Sequence, residues 1–560
     1  MITPTVAQAQ IRDHAEPDLL VVAPAGCGKT EALALRVQGM LERGDVTAPR
    51  KILVVTFSNR ARDNIRERLK SYVGPTQLRD RVWVVNFHGL SARIIRAHAN
   101  VIGLSADLPI PERDVTGDAC QKRDLDFNLT GRVKEALRDA KLEPRTDAEV
   151  DAFLVAQRET DALEIERERV ANSLLAYEDL PRLAELILAN DTVARLYRAH
   201  FGAVIVDEFQ DLTPQQLRIV NRIGYKRTTF AGDLAQGIYS FTGAKPLEVS
   251  AAIETECSEK ITFADSHRSS PAVLAAVNAL APLTNGVELT AAAPESWPSG
   301  GMLGIAAFED VQAEANWVVS IAEAILNHSA TQRIGIMART AGRRRFIEEV
   351  LTKRGTEFMR WDDGVLDTDT ARMMRAMLSQ FDLNGYQKAM DKPAFLRQIS
   401  GLESLLETDS RKNLADALSW CGDLLREGVS PAEIRGRIRV GDDSTLITLP
   451  GIHLLTGHVG KGQQFDWAMV VGAEDGVLPD FRSTTDEERA EEARVFSVML
   501  SRARHGAIVS YSATVPTWAG DLKGKAPSPF LKYLERANPL AGDALIQWFK
   551  NVDWEQIAAR

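Results

Sequence analysis

The sequence predicts an α/β protein that consists of two parallel-sheet domains, each interrupted by a helical insertion. Short apolar runs alternate with amphipathic helical patterns in two separate stretches of the chain, which is typical of parallel sheets with helices on both faces. Two further stretches show apolar and charged residues at helical spacing and no strand pattern. The chain has 560 residues, which at about 150 residues per domain is too long for one compact unit.

Five buried strands are predicted for the first domain, at residues 19–23, 52–56, 82–85, 204–206 and 228–231. Each is an apolar run bounded by Gly, Asp or charged residues and followed by an amphipathic segment. The long stretch between the third and fourth strands is charged and helix-rich. We therefore expect the first domain to comprise residues 1–104 and 201–270, with residues 105–200 as its helical insertion.

The second domain shows the same rhythm, with strands predicted at residues 334–338, 446–449, 453–456, 468–471 and 507–511. A shorter helical stretch, punctuated by glycines and prolines, follows the first of these strands. We expect the second domain to comprise residues 271–361 and 444–560, and its insertion to comprise residues 362–443.

The composition excludes several classes of protein. The 67 Lys and Arg against 77 Asp and Glu give a net charge of −10, so the chain is not basic as a whole and any nucleic-acid site must be a local surface. The 4 cysteines form no CxxC pair, which argues against a zinc ribbon or a disulfide framework and fits a reducing compartment. No segment has the pattern of a signal peptide or a membrane span. We expect a cytoplasmic protein with no membrane partner.

A phosphate-binding loop follows the first predicted strand, with the sequence Ala25-Gly26-Cys27-Gly28-Lys29-Thr30. Glycines let backbone N–H groups close around a phosphate, and a lysine supplies a positive charge. A Thr hydroxyl at the start of a helix can bind Mg²⁺. The loop therefore predicts a nucleotide site, in which Cys27 is a small filler and not a nucleophile.

The fourth predicted strand ends in Asp207-Glu208. A carboxylate at this place can hold the water shell of Mg²⁺, and its neighbour can polarise an attacking water. Paired with Lys29, these two residues predict hydrolysis of a nucleoside triphosphate, with Asp207 serving the metal and Glu208 the water.

An ordered series of motifs makes this interpretation more specific. The blocks are Thr56-Phe57-Ser58-Asn59-Arg60-Ala61, Phe87-His88, Asp207-Glu208-Phe209-Gln210-Asp211, Gly232-Asp233-Leu234-Ala235-Gln236-Gly237-Ile238-Tyr239, His267-Arg268-Ser269, His458-Val459-Gly460-Lys461-Gly462-Gln463-Gln464-Phe465-Asp466 and Leu500-Ser501-Arg502-Ala503-Arg504. From Gln8 to Arg504 the chain resembles the UvrD/Rep/PcrA group of superfamily 1A DNA helicases. The resemblance implies two RecA-like domains of the P-loop NTPase class.

The resemblance also implies roles for individual residues around ATP and Mg²⁺. Gln8, 21 positions before Lys29, would read the adenine edge. Gln236 would sense the γ-phosphate. Arg268 and Arg502 would act as arginine fingers from opposite sides of the cleft, since a planar guanidinium stabilises charge on a transferring phosphoryl group. His267 and Gln464 stand at the family's base and ribose positions.

The family uses aromatic rings as stacking platforms for single-stranded bases, and hydroxyl or amide groups as phosphate contacts. The matching positions here are Phe57, Asn59, Phe87, His88, Tyr239, Phe241, Thr456 and His458. The resemblance therefore implies single-stranded and tailed duplex DNA as partners.

This sequence departs from the family pattern around the nucleotide base. Glu31 stands where an Arg often packs on adenine, His267 replaces an aromatic residue, and Gln464 replaces a Glu that contacts the ribose. The interval between Arg268 and Thr456 is too short for a full 2B domain, so we expect a reduced helical element there. Compact members of this kind, such as the helicase-like subunit of the Gabija phage-defence system, work with a separate nuclease.

Three hypotheses follow. The first is a DNA-dependent ATPase that moves 3′ to 5′ on single strands and unwinds duplex. The second is an ATP-gated DNA sensor in a nuclease or phage-defence complex. The third, a P-loop small-molecule kinase, explains Lys29 and Asp207 but leaves Arg502 without a role.

Overall fold

The computed structural model describes residues 4–105, 107–109, 115–361, 365–366, 368–402, 408–426, 428–440, 447–458, 461–516 and 521–560. Two parallel sheets dominate it. In the described part of the chain, no helix has both the length and the apolar character needed to cross a membrane.

The first sheet is fully parallel and has the strand order β3-β2-β4-β5-β1-β6. Its strands are β1 (Leu19–Val22), β2 (Lys51–Thr56), β3 (Val82–Asn86), β4 (Phe201–Asp207), β5 (Thr228–Gly232) and β6 (Lys260–Thr262). The helices from the N-terminus to β6 are α1 (Val6–Asp13), α2 (Lys29–Arg43), α3 (Asn59–Val73), α4 (Pro75–Arg81), α5 (Phe87–His98), α6 (Val115–Lys122), α7 (Phe127–Lys141), α8 (Asp147–Gln157), α9 (Thr160–Ala171), α10 (Asp179–Leu188), α11 (Asp191–His200), α12 (Pro214–Gly224) and α13 (Pro246–Glu256). Alternate strand residues enter two separate apolar clusters, one on each face of the sheet.

The helices between β3 and β4 contribute to two different apolar clusters. Helices α6 to α9 enclose their own apolar cluster, which includes Cys120, Leu137 and Ile165. Helices α10 and α11, which the prediction assigned to the insertion, instead pack into the cluster beneath the first sheet through residues such as Leu183 and Val193. The charged composition of this stretch concealed the apolar face that α10 presents to the sheet.

The second sheet has the order β11-β14-β10-β15-β16-β17, and an additional strand, β9, pairs with β16. All neighbours are parallel except β16 and β17. Its strands are β9 (Met302–Asp310), β10 (Arg333–Ala338), β11 (Phe358–Arg360), β14 (Gly451–Thr456), β15 (Phe465–Val471), β16 (Ala503–Pro516) and β17 (Leu522–Gly524). Two minor pairs are β7 (Asp265–Ser266) with β8 (Thr290–Ala291), and β12 (Val365–Leu366) with β13 (Arg439–Val440).

The helices of the second domain are α14 (Pro271–Thr284), α15 (Val311–His328), α16 (Ala341–Arg354), α22 (Asp486–Leu500), α23 (Leu531–Leu534), α24 (Gly542–Asn551) and α25 (Trp554–Ala559). Its insertion contains α17 (Thr368–Ser379), α18 (Leu383–Lys388), α19 (Lys392–Ser400), α20 (Thr408–Arg426) and α21 (Pro431–Arg437), which share a separate apolar cluster. One loop crosses between the two cores: Ile238, which follows β5 of the first sheet, is fully buried among apolar residues of the second domain.

One predicted strand is wrong, and several observed strands were not predicted. Residues 447–449 form no strand, because the chain is held there by a side chain: Ile447 N donates to Gln463 Oε1 at 3.0 Å. Leu446 lies outside the described residues. The strands that were not predicted are β6, β7, β8, β9, β11, β12, β13 and β17. All of them except β9 are only 2 or 3 residues long and too short to show a period.

Candidate functional site

The phosphate-binding loop joins β1 to α2 with two residues in the left-handed region, Gly26 at φ +87° and Gly28 at φ +85°. A side chain at Gly26 would place its Cβ 2.5 Å from Arg268 Cβ, so only glycine permits this close approach. Gln8 on α1 braces the loop, because its Nε2 donates to the Gly28 carbonyl at 3.4 Å. The loop therefore meets two of the predicted site residues through its own backbone.

Lys29 lies between the two predicted carboxylates. Its Nζ is 3.2 Å from Asp207 Oδ1 and 2.5 Å from Glu208 Oε1. Burial opposes the charge of Lys29, but the attraction of Asp207 and Glu208 outweighs it and raises the pKa of the ammonium group. Burial raises the pKa of Asp207, and Lys29 offsets part of that effect. These three predicted residues are together at the carboxyl edge of the first sheet.

Glu208 is held in a strained conformation that its partners define. Its φ of +59° lies in the left-handed region, which is uncommon for a residue with a side chain. Gln210 Nε2 donates to Glu208 Oε2 at 2.6 Å. Burial works against its charge, but Lys29 and Lys461 outweigh burial and lower the pKa of the carboxyl to about 2. Glu208 is therefore ionised over the physiological range, as a residue that polarises water must be.

Arg502 reaches this site from the second domain. Its Nη2 donates to Gln236 Oε1 at 3.5 Å and to Ser501 Oγ at 2.9 Å, and its Nε donates to the Val498 carbonyl at 3.0 Å. Gln236 is fixed in turn, since its Nε2 donates to Asp233 Oδ2 at 2.9 Å. Burial lowers the pKa of Arg502 to about 9. The predicted γ-phosphate sensor and the predicted finger of the opposite domain are thus in contact.

Arg268 is the second predicted finger, and its partner is Gln464. With the Gln464 amide oxygen turned toward it, Arg268 donates from Nη2 at 2.9 Å and from Nε at 3.2 Å. Gln464, which stands at the family's ribose position, holds the guanidinium of Arg268 in this structure. Burial lowers the pKa of Arg268 to about 10. His267 is exposed, and its backbone N donates to the Gly26 carbonyl at 3.1 Å.

The residues of this site fit a nucleoside triphosphate with Mg²⁺. Among the described residues, Arg268 Nη1 is a buried donor without a hydrogen-bond partner, and it belongs to a residue that packs against Gly26 of the loop. Such a donor is satisfied by a phosphate oxygen. The Asp207 carboxylate and the Thr30 hydroxyl at the start of α2 are oxygen ligands of the kind that Mg²⁺ prefers.

Tyr239, which lies on the same loop as Gln236, forms an aromatic pair with Phe57, the residue after β2. The rings of Phe57 and Tyr239 stack with their centroids 5.6 Å apart and their planes 11° apart. Both residues are only partly buried, so the pair forms a platform at the surface. Lys461 of the second domain lies 4.6 Å from the centre of the Tyr239 ring. This arrangement is of the kind that stacks single-stranded bases.

The other predicted DNA contacts divide into groups. Phe87 is 2% exposed and belongs to the core beneath the first sheet, so its expected stacking role does not agree with its place in the fold. His88 is exposed beside Tyr177, at an edge-on ring distance of 6.1 Å. Thr456 and His458 end β14 and begin the loop after it. The side chains of Asn59 and Phe241 lie outside the described part of the chain.

Three residues make contacts across the domain boundary that the sequence did not predict. Lys461 bonds to both carboxylate oxygens of Asp211, at 2.8 and 2.7 Å. Arg494, which lies outside the quoted motifs, donates from Nε to the Gly237 carbonyl at 2.7 Å. Asp211 and Lys461 stand in the quoted motifs, so their position was available, but nothing in the sequence pairs them.

The site defines the class of protein. Two parallel-sheet domains contribute a phosphate loop, paired carboxylates and a facing arginine to one cleft, which is the arrangement of a two-domain P-loop NTPase.

Comparisons with known proteins identify the family. The UvrD/REP helicase N-terminal domain matches residues 5–255, and the UvrD-like helicase C-terminal domain matches residues 408–514. The chain is 23% identical to the ATP-dependent DNA helicase PcrA of Staphylococcus epidermidis, over 92% of this chain and 84% of that protein. It is also 23% identical to PcrA of Staphylococcus aureus, over 94% of this chain and 85% of that protein. The chain belongs to the UvrD-like superfamily 1A helicases, a family of ATP-hydrolysing enzymes that act on DNA.

Proposed function

We propose that this chain is an ATP-driven motor that moves 3′ to 5′ along single-stranded DNA and separates duplex DNA. The observation that carries the proposal is the 3.5 Å contact between Arg502 of the second domain and Gln236 of the first. Gln236 is only three residues from Tyr239, whose ring stacks on Phe57. A change at the nucleotide is therefore connected to the aromatic platform by one short loop.

The site residues then have complementary tasks. Lys29 binds the phosphates, and Glu208 accepts a hydrogen bond from the water that attacks the γ-phosphorus. Arg268 and Arg502 stabilise the charge that spreads over the transferring phosphoryl oxygens. Because Arg502 belongs to the second domain, its contact with the phosphate draws the two domains together, and loss of the phosphate allows them to separate.

Mg²⁺, when bound, supplies positive charge to the phosphate oxygens, and Thr30 and Asp207 are the residues that would hold it. Asp207 is well suited to this role because Glu208 N donates to its Oδ1 at 3.0 Å, which fixes the carboxylate at the end of β4. Gln8 and His267 are the proposed base contacts. His88, Thr456 and His458 are proposed to hold the DNA strand beside the Phe57–Tyr239 platform.

The experiment compares ATP hydrolysis with and without a single-stranded oligonucleotide, and strand displacement on duplexes with either a 3′ or a 5′ tail. We expect DNA to stimulate hydrolysis and the 3′-tailed duplex to be unwound in preference. Lys29→Ala should abolish both activities, because it removes the phosphate-binding charge. Preferential unwinding of the 5′-tailed duplex would refute the proposed direction. A hydrolysis rate that does not change when DNA is added would refute the motor function and favour a small-molecule kinase.

A second candidate is an ATP-gated DNA-sensing subunit of a nuclease or phage-defence complex. The observation that favours it is the small size of the second insertion, whose five described helices run from Thr368 to Arg437. Fast strand separation by the chain alone would exclude this candidate. This candidate would be supported if DNA stimulated hydrolysis but the chain alone separated no strands, and if an added nuclease subunit restored strand separation.

A further inference from the structure

Lys461 occupies an unusual place between the nucleotide cleft and the aromatic platform. It belongs to the second domain, yet the hydrogen bonds that its ammonium group makes to the described residues all go to groups of the first. Nζ donates to Asp211 Oδ1 at 2.8 Å, to Asp211 Oδ2 at 2.7 Å and to the Gln236 carbonyl at 2.7 Å. Three donors are the full capacity of an ammonium group. The same group lies 4.6 Å from the centre of the Tyr239 ring.

These contacts lead to different parts of the site. The side chain of Gln236 accepts a hydrogen bond from Arg502, so the Gln236 carbonyl belongs to a residue of the nucleotide site. Tyr239 stacks on Phe57, so its ring belongs to the platform proposed to bind DNA bases. Asp211 follows Glu208 by three residues and bonds through its backbone N to the Glu208 carbonyl at 2.9 Å. A single cation therefore touches a residue of each function.

The rest of this loop is fixed to the second domain. Arg494 holds the Gly237 carbonyl, Glu491 Oε1 accepts from Ser240 N at 3.1 Å, and Ile238 is buried in the core of the second domain. The backbone between Gln236 and Tyr239 is thus anchored, and the ammonium of Lys461 is the group shared between its two ends. An ammonium that binds a carboxylate and an aromatic face at once redistributes its contacts when either partner changes.

We propose that Lys461 is a positioning residue that links a base stacked at Tyr239 to the alignment of Gln236 in the ATP site, with Asp211 as its counter-ion. The inference rests on the proposed function, since it concerns how DNA stimulates hydrolysis at the same cleft. A base on the platform changes the hold of Tyr239 on the ammonium, and the ammonium transmits that change to the Gln236 carbonyl. Lys461 is not one of the residues proposed to hold ATP or Mg²⁺, and it acts through Asp211, Gln236 and Tyr239.

The electrostatics of Asp211 give this link a signature in pH. Burial raises the pKa of Asp211 to about 6, Lys461 works against that rise, and the charge of Glu208 adds to it. Lys29 also acts on the Asp211 carboxyl and lowers its pKa. Below pH 6 the Asp211 carboxyl gains a proton and becomes neutral, so its ion pair with the Lys461 ammonium is lost. DNA stimulation should therefore decline on the acid side of this pH.

The test measures the stimulation factor, which is the ATP hydrolysis rate at saturating single-stranded DNA divided by the rate without DNA. For Lys461→Met we expect this factor to fall by about tenfold, the effect of one lost charged hydrogen bond. Lys461→Arg keeps the cation and should restore most of the factor. Lys260→Met is the matched control, because Lys260 pairs with Glu254 at 2.7 Å on the surface of the same protein.

The pH profile separates positioning from a merely structural role. Wild type should lose stimulation as the pH falls below about 6, whereas Asp211→Asn should show a low factor that does not vary over this range. Thermal melting of each variant confirms that it is folded. Equal stimulation in Lys461→Met and wild type, or an unchanged acid decline in Asp211→Asn, would overturn the proposal while the motor function stands. Absence of stimulation in wild type would overturn both.

Discussion

Replacing Arg502 with alanine should remove most of the catalytic rate and leave the fold intact. Nε and Nη2 are engaged by Val498, Ser501 and Gln236. Within the described residues, the donors of Nη1 are the ones left for a phosphoryl oxygen. Two hydrogen bonds from a charged donor contribute about 1.5–3 kcal/mol each, so kcat should fall by about 10³-fold. KM for ATP should rise by less than about tenfold, because the charge on these oxygens grows in the transition state.

Stability should change much less than the rate. Arg502 is 1% exposed, and burial lowers the pKa of its guanidinium to about 9, because the buried charge has lost its hydration. Removing the side chain relieves this desolvation but leaves a cavity, so the two effects oppose each other and the melting temperature should change little. A loss of activity in Arg502→Ala can then be separated from unfolding.

The assay is steady-state ATP hydrolysis at saturating single-stranded DNA, with differential scanning fluorimetry on the same samples. Arg504→Ala is the matched control, since Arg504 lies two residues along on β16 and pairs with Asp466 at 3.2 Å, 26% exposed. It should keep kcat within about threefold of wild type. A folded Arg502→Ala protein with a similar kcat to wild type would refute the assignment of Arg502 to the transition state.

Three more outcomes are expected. Tyr239→Ala should raise the dissociation constant for single-stranded DNA by about 10-fold to 100-fold, as the loss of one stacked base predicts, in a fluorescence anisotropy titration; Tyr225→Ala, on an exposed tyrosine, should not, and equal effects would contradict the platform. Gln464→Ala should lower kcat for hydrolysis because Arg268 loses its hydrogen-bond partner, whereas Gln464→Glu should keep the guanidinium in place; an unchanged kcat in Gln464→Ala would contradict this. Burial lowers the pKa of His453 from 6.5 to about 4, so its share of stability is complete above pH 6.5 and is lost as the pH falls toward 4, a change of about 3 kcal/mol. The fall in melting temperature between pH 7 and pH 4.5 should therefore be smaller in His453→Gln than in wild type, and an identical fall would count against it.

The parts of the site that sequence reasoning predicted are those encoded locally. The loop from Ala25 to Thr30 follows directly on β1, and Asp207 directly ends β4, so a strand pattern and the next few residues suffice. The carboxyl ends of parallel strands share one edge, which brings Lys29 to Asp207 without further information.

Contacts between distant segments could not be predicted in the same way. Phe57 and Phe87 both follow a predicted strand, and only the packing of α5 decides that Phe87 is core whereas Phe57 is at the surface. Gln464 and Arg268 are 196 residues apart, and their contact depends on how β15 and the loop after β7 meet. The packing of α10 on the first sheet could not be predicted for a similar reason, because the charged residues of this stretch hid the apolar face of the helix.

The burial of Ile238 within the second domain has a mechanical meaning. A side chain carried by one lobe fills a place in the apolar interior of the other, together with residues such as Val273 and Phe465. Full separation of the two domains would expose that interior to water. Opening of the cleft should therefore be a rotation of the domains about Ile238 that keeps this side chain buried. Heating should accordingly melt both lobes in a single calorimetric peak, whereas a polar residue at this position should split it into two.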